Sequence, residues 1–545
     1  MRKPPHCGTR RSRGVLALVA LVLASMLTSV GCDSGDPSVA KSERTTVRTL
    51  ISAFPASLSL LGKMDQNGEI VAVQITDSLV QYDPDLKLQP RVAESWEFSD
   101  DRLTLTFKLR QGVRWHDGRP LTADDVVFSV ETVLEPLTEN RTFAPLFKDL
   151  VKVEAPDPQT VVATYSTTTP DTLEAWRLPL LPRHVAGADE DLFTGRFAKH
   201  PIGCGPFRFV RAVQDQEVIL EANDDYWDGR PQIDRLVFKV YSDQRTAYQA
   251  LLTGDLDVAG VTANLWEEAQ RSSESHRLNA FVYSTLRVWP IFWNQDGSNP
   301  FFEDPRVRRA MILALDRQPF LDNVVKGMAR MASTTFHPDS VWADPELEPW
   351  GYDPDEAQRL LDEAGWIDTD GDRIRDKNGQ PFRFTLMIPQ AKTKLAEQLA
   401  VWQQQSWLEI GIHQDIEAIE WEAFKVKRND GRFQAASFTL TFTPNPDMFE
   451  LYHSSAREYF NFYGLADPEI DRLLVEGRST FDVDRRRQIY HRLQRRLHEI
   501  EPISPLFYFK LPVLHDVRVQ GIEPSAVDLY RTTAGPRNWR WIEAD

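Results

Sequence analysis

The sequence predicts an α/β fold divided into at least two lobes, and three observations carry that expectation. Residues 384–388 read as a strand, 392–410 as a helix and 412–416 as another strand, an alternation that argues for a lobe on a mainly parallel sheet. Residues 201–260 open as a β-hairpin, with Phe207 and Phe209 facing Val218 and Leu220 at a period of two. A strand follows through Leu236, Phe238 and Val240; helical spacing then runs from Thr246 to Thr253 and stops at Gly254. The third observation is size. Removal of a 31-residue leader from the 545 residues leaves 514, more than one hydrophobic core holds, and no long linker divides them, so the lobes interleave in sequence.

The leader is residues 1–31. Arg2, Lys3, Arg10, Arg11 and Arg13 precede an apolar run over residues 15–30, the pattern of a secretory signal. The run ends in Ser29-Val30-Gly31-Cys32, which resembles a bacterial lipoprotein signal, with Ser29 where Leu is usual. Cys32 is therefore the expected lipidation site, and several acyl chains there would hold the chain to a membrane. A non-lipidated signal and a retained anchor helix remain open. Asp33 resembles an inner-membrane retention signal, and residues 32–45 read as a polar tether. Loss of the leader takes five positive charges from a net −17 and leaves −22. Such acidity argues against a nucleic-acid partner, because phosphate contacts need a basic face. Cys7 leaves with the leader and Cys32 is lipidated, so Cys204 stands alone without a disulfide.

The mature chain starts as a strand (47–54), a helix (69–79) and a Tyr82-Asp83-Pro84-Asp85 turn. A meander follows: 95–98, a turn at Asp100-Asp101, and Leu103, Leu105, Phe107 and Leu109 on one face. Trp115-His116-Asp117-Gly118 makes the next turn, and Thr122 with Asp125 opens a helix through Val126 and Val130. His116-Asp117 is read as structural, since no HExxH, Cys-x-x-Cys, GxSxG or phosphate-loop pattern joins it. Asn140-Arg141-Thr142 matches a glycosylation sequon only incidentally. Beyond the central block, 281–294 is aromatic and β-forming, and Pro305 opens a helix with Val307, Ala310, Met311 and Ala314 inward. Asp353 caps a helix with Ala357, Leu360, Leu361 and Ala364 inward, closed by Gly365. Asp368, Asp370 and Asp372 have the alternation of a calcium loop, but Arg373 and Gly379 occupy the positions of its Gly and Glu, so the stretch reads as a solvated acidic turn. In helix 392–410 the row Leu395, Leu399, Trp402, Ser406 is expected inward. In 482–500 the row Ile489, Leu493, Leu497, Ile500 is expected inward, with Arg485, Arg486, Arg492, Arg495 and Arg496 elsewhere. Residues 506–511 form a strand.

The order Gly-turn (Pro201-Ile202-Gly203-Cys204-Gly205), hairpin, Asn223-x-x-Tyr226-Trp227, strand, short helix, Gly254-Asp255-x-Asp257 resembles the family 5 extracellular solute-binding proteins, the dipeptide and oligopeptide binders of ABC importers. The stretch from Leu88 to Leu134 is similar to the same family, where it is a fold signature that leaves the ligand untouched. The resemblance implies a two-lobed periplasmic-binding-protein clamp of the cluster C type with an extra N-terminal subdomain. It divides the chain into 46–80 (lobe I), 81–200 (the extra subdomain), 201–287 (lobe I), 288–512 (lobe II) and 513–545 (the return to lobe I). The implied function is capture of a small solute, peptide-like or other, between the lobes and delivery to a permease driven by an ATPase. The chain would be a monomer on the outer face of a bacterial membrane, neither an enzyme nor the holder of a cofactor or metal. A sensor or chaperone-like lipoprotein on the same clamp is the alternative, and a secreted hydrolase a third.

Peptide binders of this family hold the ligand's amine with an Asp just before a loop Pro. If Pro446 is that Pro, the Asp position here is Phe442, which forms no charge-assisted bond; Asp447 would take the role only in a shifted loop. The resemblance adds Trp289, Trp293, Phe336, His337, Trp342, Tyr459 and Asn461 as candidate pocket residues.

Overall fold

Two strands far longer than the usual 3–10 residues run side by side through the middle of the molecule: Leu278–Trp293, 16 residues, and Ile503–Asp516, 14 residues. They pair antiparallel from Leu278↔Asp516 to Phe292↔Ile503. At about 3.4 Å per residue the longer one reaches about 50 Å. In this computed structural model the described residues are 45–58, 65–135, 143–186, 192, 195–272, 276–390 and 394–543. The leader, Cys32, the tether before Thr45 and Asn140 lie outside them. Arg44–Asp545 forms one compact unit.

The two strands divide a large mixed sheet. On one side follow Val258–Gly260, Thr46–Ile51, Arg235–Val240, Glu217–Ala222 and Phe207–Val213; on the other, Ala435–Ser437, Arg383–Pro389 and His413–Ile419. The strands expected within 384–416 pair in parallel, and the larger sheet that holds them is mixed. Arg383–Pro389 is parallel to both its neighbours, but Ala435–Ser437 meets Leu278–Trp293 antiparallel. One outgoing and one returning strand form the centre, and such a pair must be antiparallel. A separate four-stranded sheet, Ala93–Phe98, Thr104–Leu109, Thr160–Tyr165 and Leu150–Asp157 in spatial order, carries helix Ala123–Leu134. Its core gathers Phe107, Trp115, Phe147 and Trp176.

Local chemistry accounts for the helix limits. Asp125 accepts the Thr122 N–H at 2.9 Å, Asp353 accepts that of Glu356 at 2.9 Å, and Gly254 ends Gln244–Thr253 in the left-handed region at φ 83°. In Leu395–Glu409 the buried row is Ala396, Leu399, Ala400, Gln403 and Trp407, rotated from the expected one; Trp402 and Ser406 are only half-buried. The alanines let the helix approach closely, and the Trp407 indole N–H reaches the Met311 carbonyl at 2.8 Å.

The motifs of the first half lock onto one another. A Cβ on Gly203 would lie 2.0 Å from the Ile75 carbonyl oxygen, and one on Gly205 2.6 Å from the Ile75 carbonyl carbon. The half-buried His116 ring bridges this turn: Nε2 donates to the Gly205 carbonyl (3.0 Å) and Nδ1 accepts the Gly203 N–H (3.2 Å). Burial pushes its pKa down to about 4, which keeps the ring neutral. Tyr226 Oη and Trp227 Nε1 both donate to Asp77 Oδ2, at 2.7 and 2.9 Å. Arg91 lies over the Trp227 ring and donates to Asp228 at 2.9 Å. These side chains bind the four-stranded layer to the large sheet, so the motif residues are structural.

Glu501, 2% exposed, sits in the left-handed region at φ 47° and accepts the Trp350 indole N–H at 3.2 Å. The guanidinium of Arg308 donates to the Ile500, Glu501, Phe302 and Glu303 carbonyls, and that of Arg317 to Trp350, Ala332 and Leu506. Burial pushes the Glu501 carboxyl up to about 8 and each arginine down to about 10.

Two outcomes follow from this packing. Gly203→Ala drives a Cβ into rigid backbone and costs about 3 kcal/mol or more, read by urea unfolding; an unchanged midpoint would contradict the close approach. Folded Glu501 keeps its proton above the ordinary 4.5 of a glutamate, so its stabilising contribution is full below that pH and is lost as pH rises through about 8. Glu501→Gln should flatten the fall of the urea midpoint between pH 5 and 8, and an identical slope in the variant would contradict the assignment. His116, with its lowered pKa, acts with opposite sign below pH 6.5 in both proteins and cancels in the comparison.

Candidate functional site

The central strand pair shifts register twice, once between Trp289 and Pro290 and, over a longer interval, between Ser284 and Val288. Ser284 faces Lys510 and Val288 faces Tyr508, so Thr285, Leu286 and Arg287 stand opposite Phe509 alone, a bulge that bends and twists the strand. Leu286 is tied from both directions. Its N–H donates to the Ala526 carbonyl (3.1 Å), in the C-terminal segment, and its carbonyl accepts the Phe442 N–H (3.0 Å), in the loop after Leu440–Thr441. Thr285 Oγ donates to the Phe509 carbonyl at 2.9 Å.

Side chains fan out from the bulge to both faces of the sheet. Phe442, half-buried, packs with Leu440 against Val288, Ala332 and Tyr508. His337, 5% exposed, sets its ring edge-on to Tyr508 at 4.9 Å. On the other face, Trp289 donates through Nε1 to Ser437 Oγ (2.8 Å) and lies against Phe507 and Phe509. The exposed Arg287 lies over Phe509, 4.9 Å from the ring centroid, and donates to Thr439 Oγ at 3.3 Å.

The candidate residues therefore fall into separate groups. Trp289, His337 and Phe442 converge on the bulge. Phe336 and Trp342 lie away from it, against Tyr490 of helix Val483–Ile500. Asp447 is already engaged: Oδ1 accepts the Phe449 N–H of its own loop (3.0 Å) and Oδ2 the Arg478 Nε–H from helix Pro468–Ser479 (2.7 Å). Trp293, with no exposed surface, is wedged between Phe302 and Trp407 and donates to Ser504 Oγ. Asn461, also fully buried, bonds the His453 and Leu465 carbonyls and the Leu465 N–H. Neither Trp293 nor Asn461 offers a face to a solute in this conformation. Tyr459 is 62% exposed.

Two further places attract attention by composition or shape. Asp368, Asp370 and Asp376 bring carboxylate oxygens within 4.8 Å of one another, but these accept the N–H groups of Thr369, Gly371, Asp372 and Arg373 in their own loop. A surface recess of about 260 Å³ is lined by Ala269, Gln270, Ser272, His276, Leu278 and Leu514 among others, and no candidate residue borders it.

Arg486 breaks an expectation. Counted among the outward arginines of its helix, it is 3% exposed. Its guanidinium forks onto both oxygens of Asp171, in the 3-10 helix Pro170–Arg177 beside the four-stranded sheet, with Nη1 at 2.9 Å. The signal was present: Arg486 continues the buried row of Ile489, Tyr490, Leu493, Leu497 and Ile500 one turn back. The bulge, by contrast, carries no local signal, because register belongs to the pair and not to either strand.

Comparison with known proteins agrees with this architecture. Residues 87–460 match the family described as bacterial extracellular solute-binding proteins, family 5 Middle. The oligopeptide-binding protein AppA of Bacillus subtilis is 29% identical over 523 residues, 92% of this chain and 94% of that protein. Its structure in complex with a nonapeptide superposes with a TM-score of 0.73 at 27% identity, covering 92% of this chain and all of that one. The nickel-binding periplasmic protein of Escherichia coli is 27% identical over 81% of this chain and 84% of its own length. CtaP of Listeria monocytogenes, an ABC transporter substrate-binding protein, gives a TM-score of 0.80 at 26% identity, over 92% of this chain and all of that one. Among the described residues no helix is long and apolar enough to cross a membrane. The chain belongs to the family 5 extracellular solute-binding proteins of ABC importers, two-lobed proteins that bind and do not catalyse.

Proposed function

We propose that this chain is the lipid-anchored capturing subunit of an ABC importer, held through Cys32 on the outer face of a bacterial membrane. It takes a small solute between two lobes and presents the closed form to the permease. Lobe I is drawn from 46–80, 201–287 and 513–545, with 81–200 as its inserted subdomain, and lobe II from 288–512. The observation that carries this reading is the bulge at 285–287: among the described residues, the two long strands that join the halves of the sheet lose their pairing there, and Leu286 is tied to the C-terminal segment and to the 442 loop at once. A solute with higher affinity for the closed form shifts the equilibrium towards it.

The relatives take unlike ligands, a nonapeptide in one and nickel in another, so the family alone does not choose. The side chains around the bulge favour a solute with an apolar or sugar-like face over a free-amine dipeptide. Phe442 presents a ring where a carboxylate would hold an ammonium, and Asp447 is already paired with Arg478. Stacking on rings then orients the solute.

Calorimetry on residues 33–545 tests the ligand class. Di- and tripeptides should bind no tighter than about millimolar, or about −4 kcal/mol, and Phe442→Asp should gain weak peptide binding by restoring the carboxylate. Micromolar binding of a dipeptide, lost on Asp447→Asn and unaffected by Phe442→Ala, would overturn the assignment.

A further inference from the structure

The contact between Asp171 and Arg486 joins residues 315 apart in sequence. On the helix side Arg486 is held without Asp171. Its Nε donates to the Gly477 carbonyl (3.0 Å), its Nη2 to Tyr490 Oη (3.2 Å), and its guanidinium carbon lies 5.3 Å from the centroids of both the Trp342 and Tyr490 rings. On the other side, the two Asp171 carboxylate oxygens bond Arg486 and, among the described residues, no group of the layer that carries them. Each surface is thus finished in itself except for one charge, and the two charges meet. A second contact lies on the exposed rim, where Arg102 of the four-stranded layer sits 4.0 Å over the Phe481 ring, just before the same helix.

We propose that Asp171 and Arg486 form a latch that positions the inserted subdomain against lobe II in the closed clamp, with Arg102 and Phe481 as its rim. The inference rests on the two-lobe reading above. Removing one partner leaves the other charge buried and uncompensated, whereas opening returns both to water. The pair therefore fixes the geometry of the closed form at little net cost to opening, and a variant lacking one charge favours the open form. Burial raises the Asp171 carboxyl above its ordinary range, against the pull of Arg486, and Asp447 and Glu174 push the same way. Charge at this site is tolerated only while Arg486 faces it. Both residues act through the clamp and are positioning residues.

The test needs no ligand. Spin labels on Asp100→Cys and Val483→Cys in residues 33–545 report the distance across the contact by pulsed dipolar spectroscopy, with Cys204 buried and unlabelled. Asp171→Asn should reduce the short-distance population about threefold or more, and Arg102→Ala should shift it the same way by less. Asp171→Asn combined with Arg486→Gln, which removes both charges, should shift it less than Asp171→Asn alone. A distance distribution unchanged in Asp171→Asn would overturn the latch. If that variant does not fold, Phe481→Ala on the exposed rim takes its place, and an unchanged distribution there overturns it equally. Failure of the capture reading would appear separately, as a radius of gyration in small-angle scattering that stays unchanged when a solute shown by calorimetry to bind saturates the protein.

Discussion

The antiparallel pairing of Leu278–Trp293 with Ile503–Asp516 is the constraint on which the rest depends. Both strands serve two sheets' worth of neighbours, so they must be continuous in hydrogen bonding at each end and yielding in the middle. The break at 285–287 meets that demand. Towards one end the strands bury Val513 and Leu514 in the cores beside Val258–Gly260 and Thr46–Ile51, and towards the other Ile291, Leu506 and Phe507 in the core beside Arg383–Pro389. Between them only Phe509 answers three residues of the partner strand.

The aromatic content follows from the same division. Phe301, Phe302, Trp366, Phe382, Phe384 and Trp407 stack on one another in one core, and Phe292, Phe438, Phe462 and Tyr463 in another on the opposite face of the sheet. Most of the rings in the second half therefore hold its layers together. Those near the bulge, Trp289, Phe442, Tyr508 and Phe509, do both jobs: they close small clusters and stand where the two halves meet.

Much of this was legible in the sequence wherever a local rule decides the outcome. Asp353 before Pro354, Gly254 after Thr253 and the row of Ile489, Leu493, Leu497 and Ile500 each appear in place. The helical spacing placed Leu399 correctly in Leu395–Glu409 but missed the rotation of the buried row, because close helix-to-sheet packing favours Ala396 and Ala400 over Trp402. Reasoning from charge failed at Arg486, whose partner comes from a segment 315 residues away. The pocket residues were the least legible. Trp293 and Asn461 have the composition of a ligand wall but are consumed by the core, whereas Leu286, an unremarkable residue in sequence, joins three segments through its backbone.

The proposed closure of two lobes on a solute turns on the bulged strand pair. Small-angle scattering from residues 33–545, without and with a solute whose binding calorimetry has established, tests it most directly. The radius of gyration should fall on saturation, and a radius unchanged with the site fully occupied would contradict the account.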